Sequence, residues 1–116
     1  MAKESPRIED GIIKWYCGDA FFLDFDVIDD RTGKALELEE RDGVVITFYN
    51  HQLLVVKKFE FTGGISCDCL TCHIDKATSK LFATGKYTYN IRYCQNNCET
   101  MQTVKAIGEC EVERCH

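Results

Sequence analysis

Proline, histidine and clustered basic residues are scarce in this sequence. It contains one proline, three histidines and no low-complexity run, so neither a linker nor a disordered tail is indicated. Its 14 Lys and Arg residues are outnumbered by 19 Asp and Glu residues. They form no cluster of the kind that binds a nucleic-acid backbone. The net charge of −5 is therefore interpreted as favouring solubility, and no nucleic-acid partner is expected.

Long apolar runs are also missing. The uncharged apolar runs are no longer than a strand, so we expect no membrane-spanning segment. No apolar segment of signal-peptide length follows Met1–Arg7, and we expect the chain to be made and kept in the cytoplasm unless a larger assembly carries it out. Thiols in that compartment are normally reduced, which bears on the eight cysteines.

Alternation of apolar and polar residues is clearest in Gly85–Tyr93. Tyr87, Tyr89, Ile91 and Tyr93 occupy every second position, which is typical of a half-buried strand. Further strand-sized patterns separated by turn residues cover 12–17, 20–28, 44–49, 53–61, 65–74 and 101–112. About seven short strands with almost no helix predict an all-β fold, a two-sheet antiparallel sandwich, with a small barrel as the alternative.

The sequence predicts a single domain over residues 1–116, with residues 1–10 as a loose N-terminal segment. A short helical turn is expected before the penultimate strand, where Asp75 can cap the turn and Leu81 can pack onto the core. A tyrosine hydroxyl of the penultimate strand, from Tyr87 or Tyr89, is expected to bond back to the backbone of this crossover.

The last predicted strand contains an irregularity. Its apolar residues in phase are Val104, Ala106, Cys110 and Val112. Ile107 is out of phase, and the neighbouring Gly108 predicts a β-bulge.

The cysteines fall into three groups. The first packs four possible soft-metal ligands into a short stretch: Cys67, Cys69, Cys72 and His73. On one strand, Cys67 and Cys69 would share a face and Cys72 would point the other way. The spacing does not match the paired ligands of a zinc site, so metal binding, a disulfide and free thiols all remain open for this group.

The second group is Cys94 and Cys98, which would face each other across a three-residue hairpin loop at near-disulfide distance. Whether they are bonded remains open. The third group, Cys110 and Cys115–His116, is near the C-terminus. Cys17 and Cys110 are in phase with core residues, and we interpret both as small buried hydrophobes.

No constellation predicts an enzyme. A nucleophile pair of Cys69 or Cys72 with His51 is conceivable, but nothing in the sequence brings those residues together. Asp24 and Asp26 would lie on the wet face of one strand. The acidic segment 37–42 lacks the ligand spacing of a calcium loop. The sequence therefore assigns no catalytic, cofactor-binding or metal-binding residue.

Several landmarks together resemble the immunoglobulin-like N-terminal domains of phage baseplate upper proteins and related tail-associated proteins of phages and prophages. These landmarks are Gly18–Val27, the turn at Asp30–Lys34, Leu36 and Leu38, Val44–Phe48, Leu81, Gly85–Ile91 and Gly108–Val112. The resemblance extends over about Ile12 to Glu113. Two departures from the family are a chain that ends after one domain and the unfamiliar stretch from Cys67 to His73.

The resemblance implies an immunoglobulin-like sandwich without catalytic residues, acting as a virion or tail-associated assembly module. Its partners would be tail or baseplate subunits, or further copies of itself, and it would be found in the virion or in the host cytoplasm before assembly. One alternative is a small bacterial metal-binding or redox module centred on Cys67, Cys69, Cys72 and His73. Another is a cytosolic protein of unknown pathway that shares the sandwich fold.

Overall fold

The computed structural model describes residues 5–114, apart from the side chain of Ala106. The elements in chain order are β1 (Arg7–Glu9), β2 (Ile12–Tyr16), β3 (Phe21–Phe25), β4 (Gly43–Tyr49), β5 (Val55–Thr62), β6 (Leu70–Ile74), α1 (Lys76–Ser79), β7 (Gly85–Gln95) and β8 (Thr100–Glu113). One sheet has the order β1-β2-β8-β7-β4-β5, and the second pairs β3 with β6. The prediction of an all-β fold with two separate sheets is confirmed for this part of the chain. The single closed sheet of the barrel alternative is not formed.

Two details of the expected sandwich were wrong. β2 pairs in parallel with β8, so the sandwich is not wholly antiparallel. Residues 7–9 are not loose, because β1 pairs with β2 and the Arg7 guanidinium forms ion pairs with Glu9 and Glu113. The remainder of the expected loose segment, residues 1–4, lies outside the described residues. Within residues 5–114, no helix has the length and apolar character needed to cross a bilayer.

The core lies between the two sheets and is rich in aromatic residues. Trp15 is fully buried and contacts Phe21 and Phe82, with ring centroids 5.3 and 5.5 Å apart. Phe48 contacts Phe82 at 5.8 Å and Tyr89 at 5.6 Å. Trp15 is therefore a central residue of the core. These tilted and edge-on contacts suit the charge distribution of aromatic rings and stabilise the sandwich beyond the burial of apolar area.

The helical turn forms where it was expected, but the side chain that packs onto the core is Phe82 and not Leu81, as the sequence had predicted. Asp75 caps α1 by accepting a hydrogen bond from the Thr78 amide at 2.7 Å. Leu81 is 52% exposed, whereas Phe82 is 1% exposed. The backbone turns again after α1, with the Phe82 amide donating to Ser79 O at 3.1 Å, and this turn directs the larger apolar side chain inward.

The predicted bulge in β8 is confirmed. Tyr89 pairs with Gly108, but Ile91 pairs with Lys105, so β8 has one residue more than β7 over this interval. Val104 is 43% exposed rather than part of the core, because a second register shift follows between Ile91 and Arg92. The side chain of Ala106 lies outside the described residues. Cys110 and Val112, which follow the bulge, therefore face the core, whereas this alternation does not continue into the part of β8 that precedes the bulge.

The tyrosine hydroxyl bond is confirmed for Tyr87. Its Oη donates to the carbonyl oxygen of Ala83 at 2.7 Å, which ties β7 to the crossover after α1. Among the described residues the Tyr89 hydroxyl has no such bond.

Tyr87→Phe is expected to lower the free energy of unfolding by about 1 kcal/mol, because the Ala83 carbonyl loses its donor. Urea unfolding measures the change. Tyr89→Phe is the matched control, and its free energy of unfolding should stay within about 0.5 kcal/mol of the wild-type value. Equal losses in the two variants would contradict a specific role for the Tyr87 hydroxyl.

Candidate functional site

The four candidate metal ligands around β6 do not converge. Cys67 and Cys72 are fully buried, whereas Cys69 and His73 are exposed. The expectation that Cys67 and Cys69 share one face was wrong, because the chain turns after Cys67 and β6 begins only at Leu70. Within the described part of the chain, no group of three or more Cys, His, Asp or Glu side chains is placed to hold a metal ion. The metal-binding alternative therefore has no geometric support there.

The buried thiols are held in their neutral form. Burial raises the pKa of Cys72 to about 12 and that of Cys110 to about 12, and it also raises the pKa of Cys67. A thiol with such a pKa is a poor nucleophile at neutral pH. The interpretation of Cys110 as a small buried hydrophobe is confirmed, whereas Cys17 is only half-buried, with its Sγ 3.8 Å from the carbonyl oxygen of Phe82.

The conceivable nucleophile pair is divided between the two sheets. His51 is exposed in the turn between β4 and β5, while Cys69 and Cys72 belong to the β6 region of the smaller sheet. Asp24 and Asp26 are both exposed, as expected for the wet face of β3. The Asp24 carboxylate accepts a hydrogen bond from the Thr71 hydroxyl at 2.7 Å.

Asp42, in the acidic segment, has a structural role. Its carboxylate accepts hydrogen bonds from the Glu39 amide at 3.2 Å, the Tyr93 hydroxyl at 3.0 Å and the Asn96 amide at 3.1 Å. The bond from the Asn96 amide, followed by the bond from the Tyr93 hydroxyl, lowers the pKa of the Asp42 carboxyl. Asp42 thereby joins the loop before β4 to the turn after β7.

That turn holds the second cysteine group, and we call Cys94–Cys98 the thiol turn. The Glu99 amide donates to Asn96 O at 3.2 Å, and Asn97 and Cys98 have φ of 58° and 63°. Positive φ at both central residues is typical of a type I′ turn, which favours glycine at the second of them. Cysteine in that conformation costs about 1–2 kcal/mol relative to glycine.

The two thiols of this turn differ in environment. Cys94 is 2% exposed, whereas Cys98 is exposed. In the ladder Cys94 pairs with Met101, so the two cysteines do not face each other as a cross-strand pair, contrary to the geometry expected from the sequence. The turn instead brings Cys98 to the same cleft as Cys94. Burial, followed by a hydrogen bond with the Cys98 thiol, raises the pKa of Cys94 to about 11.

The tip of the β4–β5 hairpin exposes three consecutive large apolar side chains. Leu53, Leu54 and Val55 are 73, 60 and 53% exposed, and we call these three residues the apolar tip. Asn50 holds the tip in shape. Its Oδ1 accepts from the Gln52 amide at 2.9 Å and from the Leu54 amide at 3.0 Å, and its carbonyl accepts from the Leu53 amide at 2.9 Å. Leu53 has a φ of 63°, which is rare for a branched apolar residue.

Beside the tip is a cleft of about 260 Å³. Leu53 and His51 form one wall, and Ile12, Lys86 and Glu109 belong to the large sheet beneath them. Its lining combines apolar side chains such as Ile12 and Leu53 with charged ones such as Lys86 and Glu109, a composition common to surfaces that accept another protein.

No protein-family model matches this chain, and neither curated proteins nor solved structures give a match.

Sequence reasoning missed the apolar tip as a surface. The pattern predicts a strand that begins at Leu53, but β5 begins at Val55. The signal was present in Asn50, whose side chain commonly bonds the backbone two residues further on and so delays the return strand. The exposure of the tip, however, depends on the direction of the hairpin relative to both sheets, which local pattern does not determine.

Proposed function

We propose that this protein is a non-enzymatic assembly module of a phage or prophage, with an immunoglobulin-like domain that docks onto other tail or baseplate subunits. The observation that carries the docking role is the apolar tip. Three consecutive large apolar side chains stand in solvent on a turn whose backbone is held by Asn50. A rigid apolar projection loses little conformational entropy on binding, so it is suited to a pocket on a partner subunit.

The immunoglobulin-like part of the proposal is supported by the strand arrangement. β4, β7 and β8 are adjacent in one sheet, as strands C, F and G are in immunoglobulin domains, and β3 pairs with β6 as B pairs with E. The Tyr87 hydroxyl bond to Ala83 has the position and partner type of the tyrosine corner at the start of strand F.

The phage part of the proposal rests on the resemblance of the landmarks between Ile12 and Glu113 to baseplate upper proteins. Sheet edges are also available in the described part of the chain, because β5 ends the large sheet and β3 and β6 pair only with each other in the small sheet. Docking at the tip would fix the domain on a larger assembly without a catalytic centre. The protein would then be found in the virion, with a cytoplasmic pool before assembly.

The docking role is tested by a double substitution in the tip, Leu53→Asp with Leu54→Asp. We expect the variant to keep the wild-type melting temperature, because both side chains are exposed. The amount incorporated into purified particles should fall by a factor of about ten or more. Quantitative immunoblotting of gradient-purified particles from induced cells measures incorporation.

Ile107→Asp is the matched control, since Ile107 is 71% exposed on β8 and does not line the cleft beside the tip. It should be incorporated like the wild type. Equal incorporation of the tip variant would show that the tip does not dock. Light scattering of the free protein distinguishes self-association: a monomer for both wild type and variant is expected if the partner is another subunit.

A further inference from the structure

The thiol turn places the side chains of Cys94 and Cys98 beside each other on one cleft, and the Cys98 thiol is close enough to act on the pKa of Cys94. Of the other described cysteines, those at positions 67, 72 and 110 are buried in the core. The Cys17 Sγ has the Phe82 carbonyl oxygen as its neighbour, and the Cys69 thiol has the Thr71 hydroxyl, each at 3.8 Å. In the thiol turn, by contrast, an exposed thiol and a buried thiol line the same cleft. That is the arrangement of an attacking thiol backed by a resolving thiol.

Two backbone amides in the middle of the turn bond to the loop before β4 and hold the turn in this form. The Asn97 amide donates to Arg41 O at 2.7 Å, and the Asn96 amide donates to the Asp42 carboxylate at 3.1 Å. Cys98 has a φ of 63°, at a position where glycine would be favoured. A side chain in a backbone conformation that disfavours it, kept in contact with a second thiol, points to a use for that side chain.

Small molecules have access to the pair. Cys94 and Cys98 line one cleft of about 330 Å³, together with Arg41, Gly43 and Glu60. This volume is at the small end of the range for ligand sites, and it is large enough for one half of a glutathione-class disulfide to enter beside the two thiols.

We propose that Cys94 and Cys98 form a modification site that reacts with low-molecular-weight disulfides of the glutathione class and closes to an intramolecular disulfide. This inference is independent of the proposed assembly role. In the first step the Cys98 thiolate attacks one sulfur of the small disulfide, forming a mixed disulfide and releasing one small thiolate. In the second, Cys94 gives its proton to solvent and attacks the Cys98 Sγ. The bond between Cys98 and the small thiol breaks, and a second small thiolate leaves.

The electrons balance, because two cysteine sulfurs are oxidised while one small disulfide is reduced to two thiols. The raised pKa of Cys94 limits the rate of the second step, since only the thiolate attacks. Below that pKa the thiolate fraction rises about tenfold for each pH unit, and closure should accelerate accordingly.

The test is incubation of the reduced, folded protein with glutathione disulfide, an acid quench and peptide mapping by mass spectrometry. In the wild type we expect a Cys94–Cys98 link that has lost two hydrogen atoms, while Cys69 carries a persistent glutathione adduct. Cys94→Ala should leave a persistent adduct on Cys98. Cys98→Ser should leave Cys94 as a free thiol. A dithiol reductant should restore the starting mass in each case.

Cys69 is the internal control, because it is exposed but lacks a partner thiol within the described residues. Three results would overturn the proposal: an adduct on Cys98 as persistent as that on Cys69, no modification of Cys98, or a link from Cys94 to a different cysteine. The wild-type map alone decides between these results, so the test does not depend on the folding of either variant. Cys115 lies outside the described residues, and the map covers it directly.

Discussion

Gly108→Ala should destabilise the domain by about 3 kcal/mol, a large fraction of the stability of a domain this size. A methyl group at position 108 would lie 2.1 Å from Cζ and 2.3 Å from Cε1 of Tyr89. The ring cannot move aside easily, because it is packed against Phe25 at 5.3 Å and Phe48 at 5.6 Å. Urea unfolding at constant temperature measures the loss.

The cause of this loss is checked by a double-mutant cycle with Tyr89→Leu, since leucine has no atoms at the Cζ and Cε positions. In that background Gly108→Ala should cost less than about 1 kcal/mol, which gives a coupling of about 2 kcal/mol between the two sites. Additive effects would mean that the glycine is required for the backbone of the bulge and not for the ring above it.

Phe82→Ala is expected to lower the free energy of unfolding by about 3–5 kcal/mol. The Phe82 side chain is 1% exposed, and its ring contacts Trp15 at 5.5 Å, Phe48 at 5.8 Å and Tyr87 at 5.0 Å. Its truncation leaves a cavity where the crossover after α1 packs against the large sheet. Denaturant unfolding followed by Trp15 fluorescence gives the change and reports on a ring that Phe82 contacts.

Leu81→Ala is the neighbouring control. Because Leu81 is 52% exposed, its truncation should change the unfolding free energy by less than about 0.5 kcal/mol. Losses of similar size at positions 81 and 82 would contradict the assignment of Phe82 as the anchor of the crossover.

Gly108 and Phe82 also differ in how far their roles could be predicted from the sequence. Alternation in β7 and turn residues between strands were enough for an all-β fold with two sheets, because both depend on local chemistry. The bulge at Gly108 was predictable for the same reason, whereas the hydroxyl bond of Tyr87 was expected by analogy with the tyrosine corner of immunoglobulin-like sandwiches. The choice of Phe82 over Leu81 was not, since it depends on a backbone turn after α1 that shifts the inward phase by one residue.

Features that depend on residues far apart in the sequence were harder to predict. The parallel pairing of β2 with β8 joins segments almost a chain length apart, and no local pattern reports such a pairing. The cysteines show the same limit at the candidate sites. Spacing alone grouped Cys67 with Cys69, whereas the turn before β6 separates them. Spacing did place Cys94 near Cys98, but through a left-handed turn and not through cross-strand pairing.

The central claim, that this domain is a structural subunit of a phage particle, is tested most directly by counting its copies. Purified intact particles from induced cells are analysed by quantitative mass spectrometry against the tail and baseplate proteins. The proposal predicts a fixed whole-number ratio that persists through repeated gradient purification. Particles that lack the chain, with all of it recovered in the soluble fraction, would contradict the proposal.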